Sequence, residues 1–139
     1  MNEDNEQMNE TTVNETAQNI ADNYRYICTM DTSTFEGKCM IVNARNSALS
    51  LNGRGAEPLT VVGAYIAPGV RSQTGQKCTN VYLFGNDGNT YFSQSQGIYR
   101  SVLDIYDMFP DFNAPEGITV VVKQTPLGGG RFTKSLEIK

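Results

Sequence analysis

The aromatic side chains of one short stretch, VYLFGNDGNTYFS (residues 81–93), could do binding chemistry of a simple kind. The dipeptide Asp87-Gly88 lies between two β-type runs and predicts a hairpin with a two-residue type I′ turn, which needs positive φ at both positions. Counting outward from that turn sorts the side chains onto two faces, because successive residues of a strand point in opposite directions. Tyr82, Phe84 and Tyr91 are predicted on one face, and Val81, Leu83 and Phe92 on the other.

Rings on the solvent face of a strand offer flat surfaces on which nucleobases stack, at about 1–3 kcal/mol per base and with little regard to base identity. Tyr82, Phe84 and Tyr91 are therefore candidate stacking residues. Tyr65 could extend this platform, although both faces of its segment, LTVVGAYI, are apolar. The same rings could instead form a second packing layer, covered by the N-terminal arm or by another subunit.

Positive charge is spread over the loops and strand ends predicted to flank these rings. Lys and Arg side chains there could follow the backbone of a single nucleic-acid strand, and the affinity would then fall with added salt. Each of them alone could equally be an ordinary solvated charge. The candidate phosphate contacts are Arg45, Arg54, Arg71, Lys77, Lys123, Arg131 and Lys134.

The elements that must position these side chains follow from the spacing of apolar residues. An extended segment is predicted at 24–30, and strands at 38–44, 59–66, 81–93 (the hairpin), 118–124 and 131–138, with a brief strand near 49–51. A helix begins after the N-cap Ser95 and stops before Pro110. This order is that of the OB-fold, so the expected class is mainly β: an OB-fold-like five-stranded barrel with one helix between strands three and four, plus an N-terminal arm. The TPLGGG run is read as a hairpin tip between the last two strands.

Residues 1–23 differ from the rest of the chain and are expected to form an acidic arm on a domain spanning 24–139. The arm carries six acidic residues and no Lys or Arg, whereas the remainder holds all 11 basic residues against nine of the 15 acidic ones. Residues 1–11 are too polar to enter a core and are expected to be disordered. From Thr12 a short amphipathic helix is predicted, and its stripe either covers its own domain or packs on a neighbouring copy. The residues of this candidate oligomerisation stripe are Val13, Ala17, Ile20 and Tyr24.

Several classes of function are disfavoured by what the sequence lacks. The chain has no histidine, and its three cysteines lack Cys-x-x-Cys spacing, so no zinc site and no Ser/His or Cys/His nucleophile is expected. Carboxylate or lysine chemistry stays formally open. We nevertheless expect no enzymatic activity, cofactor or metal. No apolar run approaches the roughly 18 residues of a membrane span, and the N-terminus is unlike a signal peptide. A soluble intracellular protein without a membrane partner is expected.

Three stretches carry a resemblance to a known family: FEGKCMIVNA, LFGNDGNTYFS with the helix GIYRSVLDIYDM, and TVVVKQTPLGGGRFTKSLEI. They resemble the single-stranded DNA-binding proteins of small tailed phages that copy linear genomes by protein priming. The most specific part of this resemblance is the hairpin, in which Phe84, Asp87, Gly88 and Tyr91 match the pattern of the family.

The resemblance implies an abundant early phage protein of the host cytoplasm that coats and protects displaced strands during DNA replication. It also implies a DNA contact at Tyr91, and possible partners are phage replication proteins and further copies of the chain. The alternatives are a virion structural or assembly protein that uses the same rings as subunit contacts, and an OB-like module for protein or carbohydrate.

Overall fold

The structure, a computed structural model, describes residues 24–139. The predicted disordered segment at 1–11 and the predicted helix that would carry Val13, Ala17 and Ile20 lie outside the described residues. In chain order the elements are α1 (Phe35–Ser47), β1 (Leu49–Ser50), a 3-10 helix (Leu51–Arg54), β2 (Leu59–Val70), β3 (Lys77–Gly85), β4 (Thr90–Ser93), α2 (Gln96–Met108), β5 (Ile118–Gly128) and β6 (Arg131–Ile138).

The strands form one curled six-stranded sheet, a half-barrel with the order β1-β4-β3-β2-β5-β6. The β1–β4 pair is parallel and the other pairs are antiparallel. β2 pairs with β5 only over its first residues, and beyond them the extended segment before α1 pairs with the free edge of β2 through an antiparallel bridge between Cys28 and Tyr65. The expected class is confirmed: the fold is mainly β and OB-like, and α2 lies between the third and fourth of the five antiparallel strands.

The main core lies between the concave face of the sheet and α2. Ile98, Val102 and Ile105 of α2 are buried against apolar side chains of the strands, among them Val81 and Leu83. The predicted N-cap is confirmed, because the Ser95 hydroxyl accepts a hydrogen bond from the Ile98 amide at 3.3 Å. The helix ends at Met108, before Pro110. Within residues 24–139, no helix is long and apolar enough to cross a membrane.

The prediction of a strand at 38–44 is wrong, since these residues belong to α1. The Thr34 hydroxyl caps the helix by accepting from the Gly37 amide at 3.0 Å, and Glu36 in the first turn and Arg45 in the last complement the helix dipole. A short apolar run such as CMIV does not distinguish a strand from a helix by its period. The helix packs on the convex face of the sheet, where Ala44 is buried with Phe84.

The predicted register of the β3–β4 hairpin is wrong by one residue. Leu83 pairs with Tyr91, and the loop has three residues, 86–88, closed by a bond from the Gly85 amide to the Asn89 carbonyl at 2.8 Å. Gly88 takes a φ of 86°, as in three-residue loops where a type I turn is followed by a left-handed residue. A one-residue shift moves side chains to the opposite face of a strand. Tyr91 therefore faces the core and Phe92 faces outward.

Candidate nucleic-acid interface

The rings predicted to face solvent are buried, so that expectation is wrong. Tyr82, Phe84 and Tyr91 expose only 6%, 2% and 3% of their surface. Two physical causes account for this. The helix α1, predicted as a strand, covers Phe84 and most of Tyr82 on the convex face, and the shifted register turns Tyr91 into the main core. The interpretation as a second packing layer applies to Tyr82 and Phe84, whose cover is α1 of the same chain, whereas Tyr91 belongs to the main core.

Tyr91 and the candidate phosphate contact Arg54 belong to a structural cluster. The Tyr91 hydroxyl donates to the Asp87 carboxylate at 2.6 Å and accepts from the Arg54 guanidinium at 2.9 Å. That guanidinium also lies 4.9 Å from the centroid of the Tyr91 ring and donates to the Pro58 carbonyl. The hydrogen bond from Tyr91 and then the Asn89 amide lower the pKa of Asp87, with a smaller contribution from the positive charge of Arg54. Arg54 is thus engaged inside its own domain.

Three rings form a cross-strand row on the convex face, which we call the ring ladder: Tyr65 on β2, Tyr82 on β3 and Phe92 on β4. Tyr65 and Tyr82 are stacked with centroids 5.4 Å apart, and Tyr82 and Phe92 lie 5.3 Å apart at a 45° tilt. Tyr65 and Phe92 are partly exposed, whereas Tyr82 between them is buried. The undecided direction of Tyr65 is therefore outward, and the outer rings of the ladder are the ones a base could reach.

Phe92 was placed on the core side by the sequence, and its outward position follows from the three-residue loop. The residues of the loop itself indicate that it has three residues. Asn86 and Asp87 are typical of a type I turn, and Gly88 suits the left-handed position that closes such a loop. In the structure the Asp87 carboxylate accepts from the Asn89 amide at 2.9 Å, which fixes that turn. Reading the loop this way pairs Tyr82 with Phe92 and completes the ladder.

A cavity of about 190 Å³ opens beside one end of the ring ladder. It is lined by Tyr82 and Phe92, by Asn80 of β3, and by the C-terminal end of α1 with the residues after it, Ala44, Arg45, Asn46 and Ala48. Burial raises the pKa of Tyr82, and the positive charge of Arg45 opposes this rise. Arg45 is therefore close enough to place a cation at the opening, where a phosphate beside a stacked base would need one.

A second arginine is joined to this opening by hydrogen bonds. The side-chain amide of Gln94 donates to the Asn80 side-chain oxygen at 2.8 Å, and the Arg71 guanidinium donates to the backbone carbonyl of Gln94 at 3.1 Å. Arg71 thereby lies near the same edge as Asn80. Neither Arg45 nor Arg71 makes an ion pair with a carboxylate of residues 24–139. The structure thus brings together ring faces, amide groups and two cations.

The other predicted cations do not line the cavity beside the ring ladder. Lys77 is exposed where β3 begins, beside a groove that also contains Tyr24 and Val70. Lys123 and Lys134 lie on the β5–β6 hairpin with the exposed Arg131, and the ammonium of Lys123 is 4.0 Å from the Glu137 carboxylate. These residues are not part of the ring-ladder site, and their role as phosphate contacts stays a prediction.

Tyr24 is the member of the predicted oligomerisation stripe that the structure describes. Its ring packs edge to face on Tyr99 of the same chain, with centroids 5.6 Å apart. The next residue, Arg25, donates its backbone amide to the Tyr99 hydroxyl at 2.7 Å and pairs with Asp107 at 3.1 Å. Tyr24 therefore contacts its own domain.

Comparison with known proteins identifies the family. A family described as phage single-stranded DNA-binding protein matches residues 20–139. No curated protein and no solved structure matches the chain. Because the match spans most of its length, the chain belongs to this phage single-stranded DNA-binding protein family. Single-stranded DNA binding is thus supported, and the alternative of a virion structural protein is not favoured.

Proposed function

We propose that this protein coats the DNA strands displaced during phage DNA replication in the host cytoplasm, without base-sequence preference and without catalysis. Residues 24–139 form the binding domain in this proposal. The observation that carries it is the ring ladder, whose outer rings are partly exposed beside a cavity that Arg45 lines and to which Arg71 is linked through Gln94, in a chain of the phage single-stranded DNA-binding protein family. The alternative interpretation of the rings as contacts between virion subunits has no comparable support.

The mechanism follows from what a duplex hides. Stacking on Tyr65 and Phe92 needs a free base face, and in a duplex both faces of each base are covered by neighbouring pairs. Arg45 and Arg71 would neutralise phosphates of the bound strand and release counterions, so the affinity should fall as salt is added. Since every base has a π-face, this arrangement discriminates unpaired from paired strands without reading the sequence. Coated strands would be protected from nucleases and would be unable to form secondary structure.

The partners proposed beyond DNA are further copies of this chain and phage replication proteins. The copies would meet through the acidic arm, residues 1–23, with the stripe Val13, Ala17 and Ile20 as the contact. Such an assembly would present several DNA-binding surfaces per particle and would favour continuous coverage of a strand.

Intrinsic fluorescence tests the proposed binding directly. The sequence contains seven tyrosines and no tryptophan, so tyrosine dominates the emission. Adding poly(dT) should quench it, because bases stack on Tyr65 near Tyr82, and added salt should restore it. Phe92→Ala should weaken binding roughly 5- to 150-fold, the equivalent of one stacked base.

Phe109→Ala is the matched control, since this partly exposed ring follows α2 and lies outside the ring-ladder site. Its affinity for poly(dT) should equal that of the wild type. An unchanged affinity of Phe92→Ala alongside clear wild-type binding would contradict the ladder as the contact surface. Failure of the wild-type protein to respond to poly(dT) at low salt would contradict the proposed function itself.

A further inference from the structure

The β5–β6 hairpin extends beyond the rest of the sheet as a two-stranded ribbon. β2 pairs with β5 only through Leu59–Val61 and Ile118–Val120, so past this point β6 is the one strand paired with β5 in the described part of the chain. All residues from 123 to 133 are exposed. Leu127 and Phe132 each expose 56% of their surface. A ribbon that carries large apolar side chains into solvent has a surface available for a ligand.

One face of this ribbon continues into a cleft. The cross-strand pairs on that face are Val122 with Leu136, Gln124 with Lys134, and Pro126 with Phe132. Val122 and Leu136 pack against the main core, whereas Gln124 and Lys134 line a cleft of about 360 Å³. Phe132 is the next residue of the same row, since residues two apart on a strand share a face. The cleft is large enough for part of a nucleotide.

The cleft lies at the seam between the two ends of the sheet, where a closed barrel would join β6 to the end formed by β1 and β4. Its other wall consists of Asn52, Gly55 and Ala56, which follow β1 along the edge of β4. The Lys134 ammonium spans the seam by donating to the Asn52 side-chain oxygen at 2.8 Å. Lys134 has no ion-pair partner among residues 24–139, so its charge is held at the cleft by a neutral amide.

The ribbon is positively charged, which makes it complementary to the negative phosphates of a nucleic-acid strand. The segment from 123 to 134, KQTPLGGGRFTK, contains Lys123, Arg131 and Lys134 and no acidic residue. Lys123 pairs with Glu137, whereas Arg131 and Lys134 make no ion pair within residues 24–139. An aromatic ring beside such cations is the combination that binds single strands by stacking and phosphate neutralisation. A partner protein would gain from the apolar side chains but would need acidic groups to match the charges of Arg131 and Lys134. These observations favour a nucleic-acid strand as the occupant.

We propose that this ribbon face is a second contact segment for bound single-stranded DNA. Phe132 stacks on a nucleobase, Lys134 and Arg131 bind phosphates, and the strand enters the cleft at the barrel seam. The proposal rests on the DNA-binding function proposed above and extends its site. Residues 44–48 border the cavity of the ring ladder and residues 52–56 border the cleft, so one short stretch of chain separates the two contacts.

A tryptophan reporter tests the placement of the strand. Because the chain has no tryptophan, Phe132→Trp and Leu127→Trp each create a single reporter at positions of equal exposure. Leu127 lies in the irregularity between two paired positions, outside the row that leads to the cleft. Oligothymidylate should quench the Phe132→Trp reporter and shield it from acrylamide, and it should leave the Leu127→Trp reporter nearly unchanged. Equal responses at both positions would contradict a specific stacking contact.

Affinity measurements separate this proposal from the proposed function. Phe132→Ala should weaken binding of a long oligothymidylate roughly 5- to 150-fold, whereas Phe132→Tyr and Leu127→Ala should keep wild-type affinity. An oligonucleotide too short to reach both contacts should lose less affinity in Phe132→Ala than the long one does. If the wild type binds and Phe132→Ala binds equally well at every length, the second contact is absent. If the wild type does not bind at all, the proposed function fails first.

Discussion

Tyr91 occupies a position where three polar groups meet at the edge of an apolar core. A buried tyrosine hydroxyl must find hydrogen-bond partners, and here it donates to Asp87 and accepts from Arg54. The cluster ties the loop of the β3–β4 hairpin to the 3-10 helix that precedes β2. Its role is therefore to fix the shape of one end of the half-barrel, and substitutions in it should change stability before they change binding.

The pH dependence of stability tests this cluster through Asp87. The pKa of Asp87 is lowered below its ordinary value of 3.8, chiefly by the hydrogen bond from Tyr91. A carboxylate with a depressed folded-state pKa contributes stability above its unfolded pKa and loses it as the pH falls through the folded value. Asp87→Asn should lower the urea midpoint at pH 7, and the gap from the wild type should narrow below about pH 4.

Asp104→Asn provides the control for that measurement, because Asp104 is an exposed carboxyl group on α2. Its urea midpoint should stay close to that of the wild type at pH 7. The pKa of Asp31 is also lowered, by hydrogen bonds from Ser33, but Asp31 titrates in all three proteins and cancels in the comparison. A gap between Asp87→Asn and the wild type that is constant from neutral to acid pH would contradict the cluster as described.

Among the helices and strands, α2, β5 and β6 are predicted correctly because local sequence features mark their ends. The helix α1 is not, because few of its residues are buried and its sequence shows no apolar period. The helix α2 combines a clear apolar period with a serine cap and a following proline, and β5 and β6 meet at a run of three glycines, the first of which is the last residue of β5. Gly129 and Gly130 form that turn with φ values of 63° and 77°, which few other residues adopt. In α1, by contrast, the only buried residues are Gly37 and Ala44, too few to create a period.

The candidate site was recovered in part for the same reason. Tyr65, Arg45 and Arg71 are candidates that the sequence supplies; in the structure Tyr65 belongs to the ring ladder, Arg45 lines the cavity beside it, and Arg71 is linked to that cavity through Gln94. Phe92 was missed because the side of every residue in a hairpin depends on whether its loop has two or three residues. The burial of Tyr82 and Phe84 could not be foreseen while their cover, α1, was read as a strand.

The contact between α2 and β6 gives a prediction at this scale. A Cβ atom at Gly97 would overlap the backbone carbonyl of Lys134, which cannot move without shifting β6. Ala gains about 1 kcal/mol of helix propensity over Gly, but forcing backbone apart in a packed interior costs about 1–3 kcal/mol. We expect Gly97→Ala to lower the free energy of unfolding by up to about 2 kcal/mol, measured by urea denaturation.

Gly53→Ala is the counterpart, because a Cβ atom there would meet no atom within 4 Å. Its effect on the free energy of unfolding should stay within about 0.5 kcal/mol. Stabilisation by Gly97→Ala would mean that helix propensity outweighs the contact and that α2 does not pack tightly on β6. Because Lys134 lies on β6, a shift of that strand should also disturb the cleft at the seam.

In the whole molecule, the two faces of the sheet pack against different helices. The concave side holds the main core beneath α2, and on the convex side α1 covers Phe84 while Tyr65 and Phe92 stay partly exposed. The charge is also divided, with six acidic residues and no basic ones in residues 1–23 and a mildly basic remainder. An acidic arm beside a basic binding domain would compete with DNA for the same cations at low salt.

Removing the arm tests its proposed role in assembly. Deletion of residues 1–23 should give a smaller species in sedimentation velocity, because the apolar stripe Val13, Ala17 and Ile20 is lost. Deletion of residues 1–11 alone retains that stripe and should leave the sedimentation coefficient near that of the full chain. Identical species for the full chain and for both deletions would show that the arm does not join copies.

The short parallel pair between β1 and β4 has a consequence for how such a protein behaves when it is abundant. Unpaired amides and carbonyls along an edge strand are a template for adding a strand from another molecule. Leu49 and Ser50 occupy that edge opposite Tyr91 and Phe92, on a strand of only four residues. In the proposed coating role, which would need many copies per strand, the two-residue β1 limits strand addition from neighbouring copies at this end of the sheet.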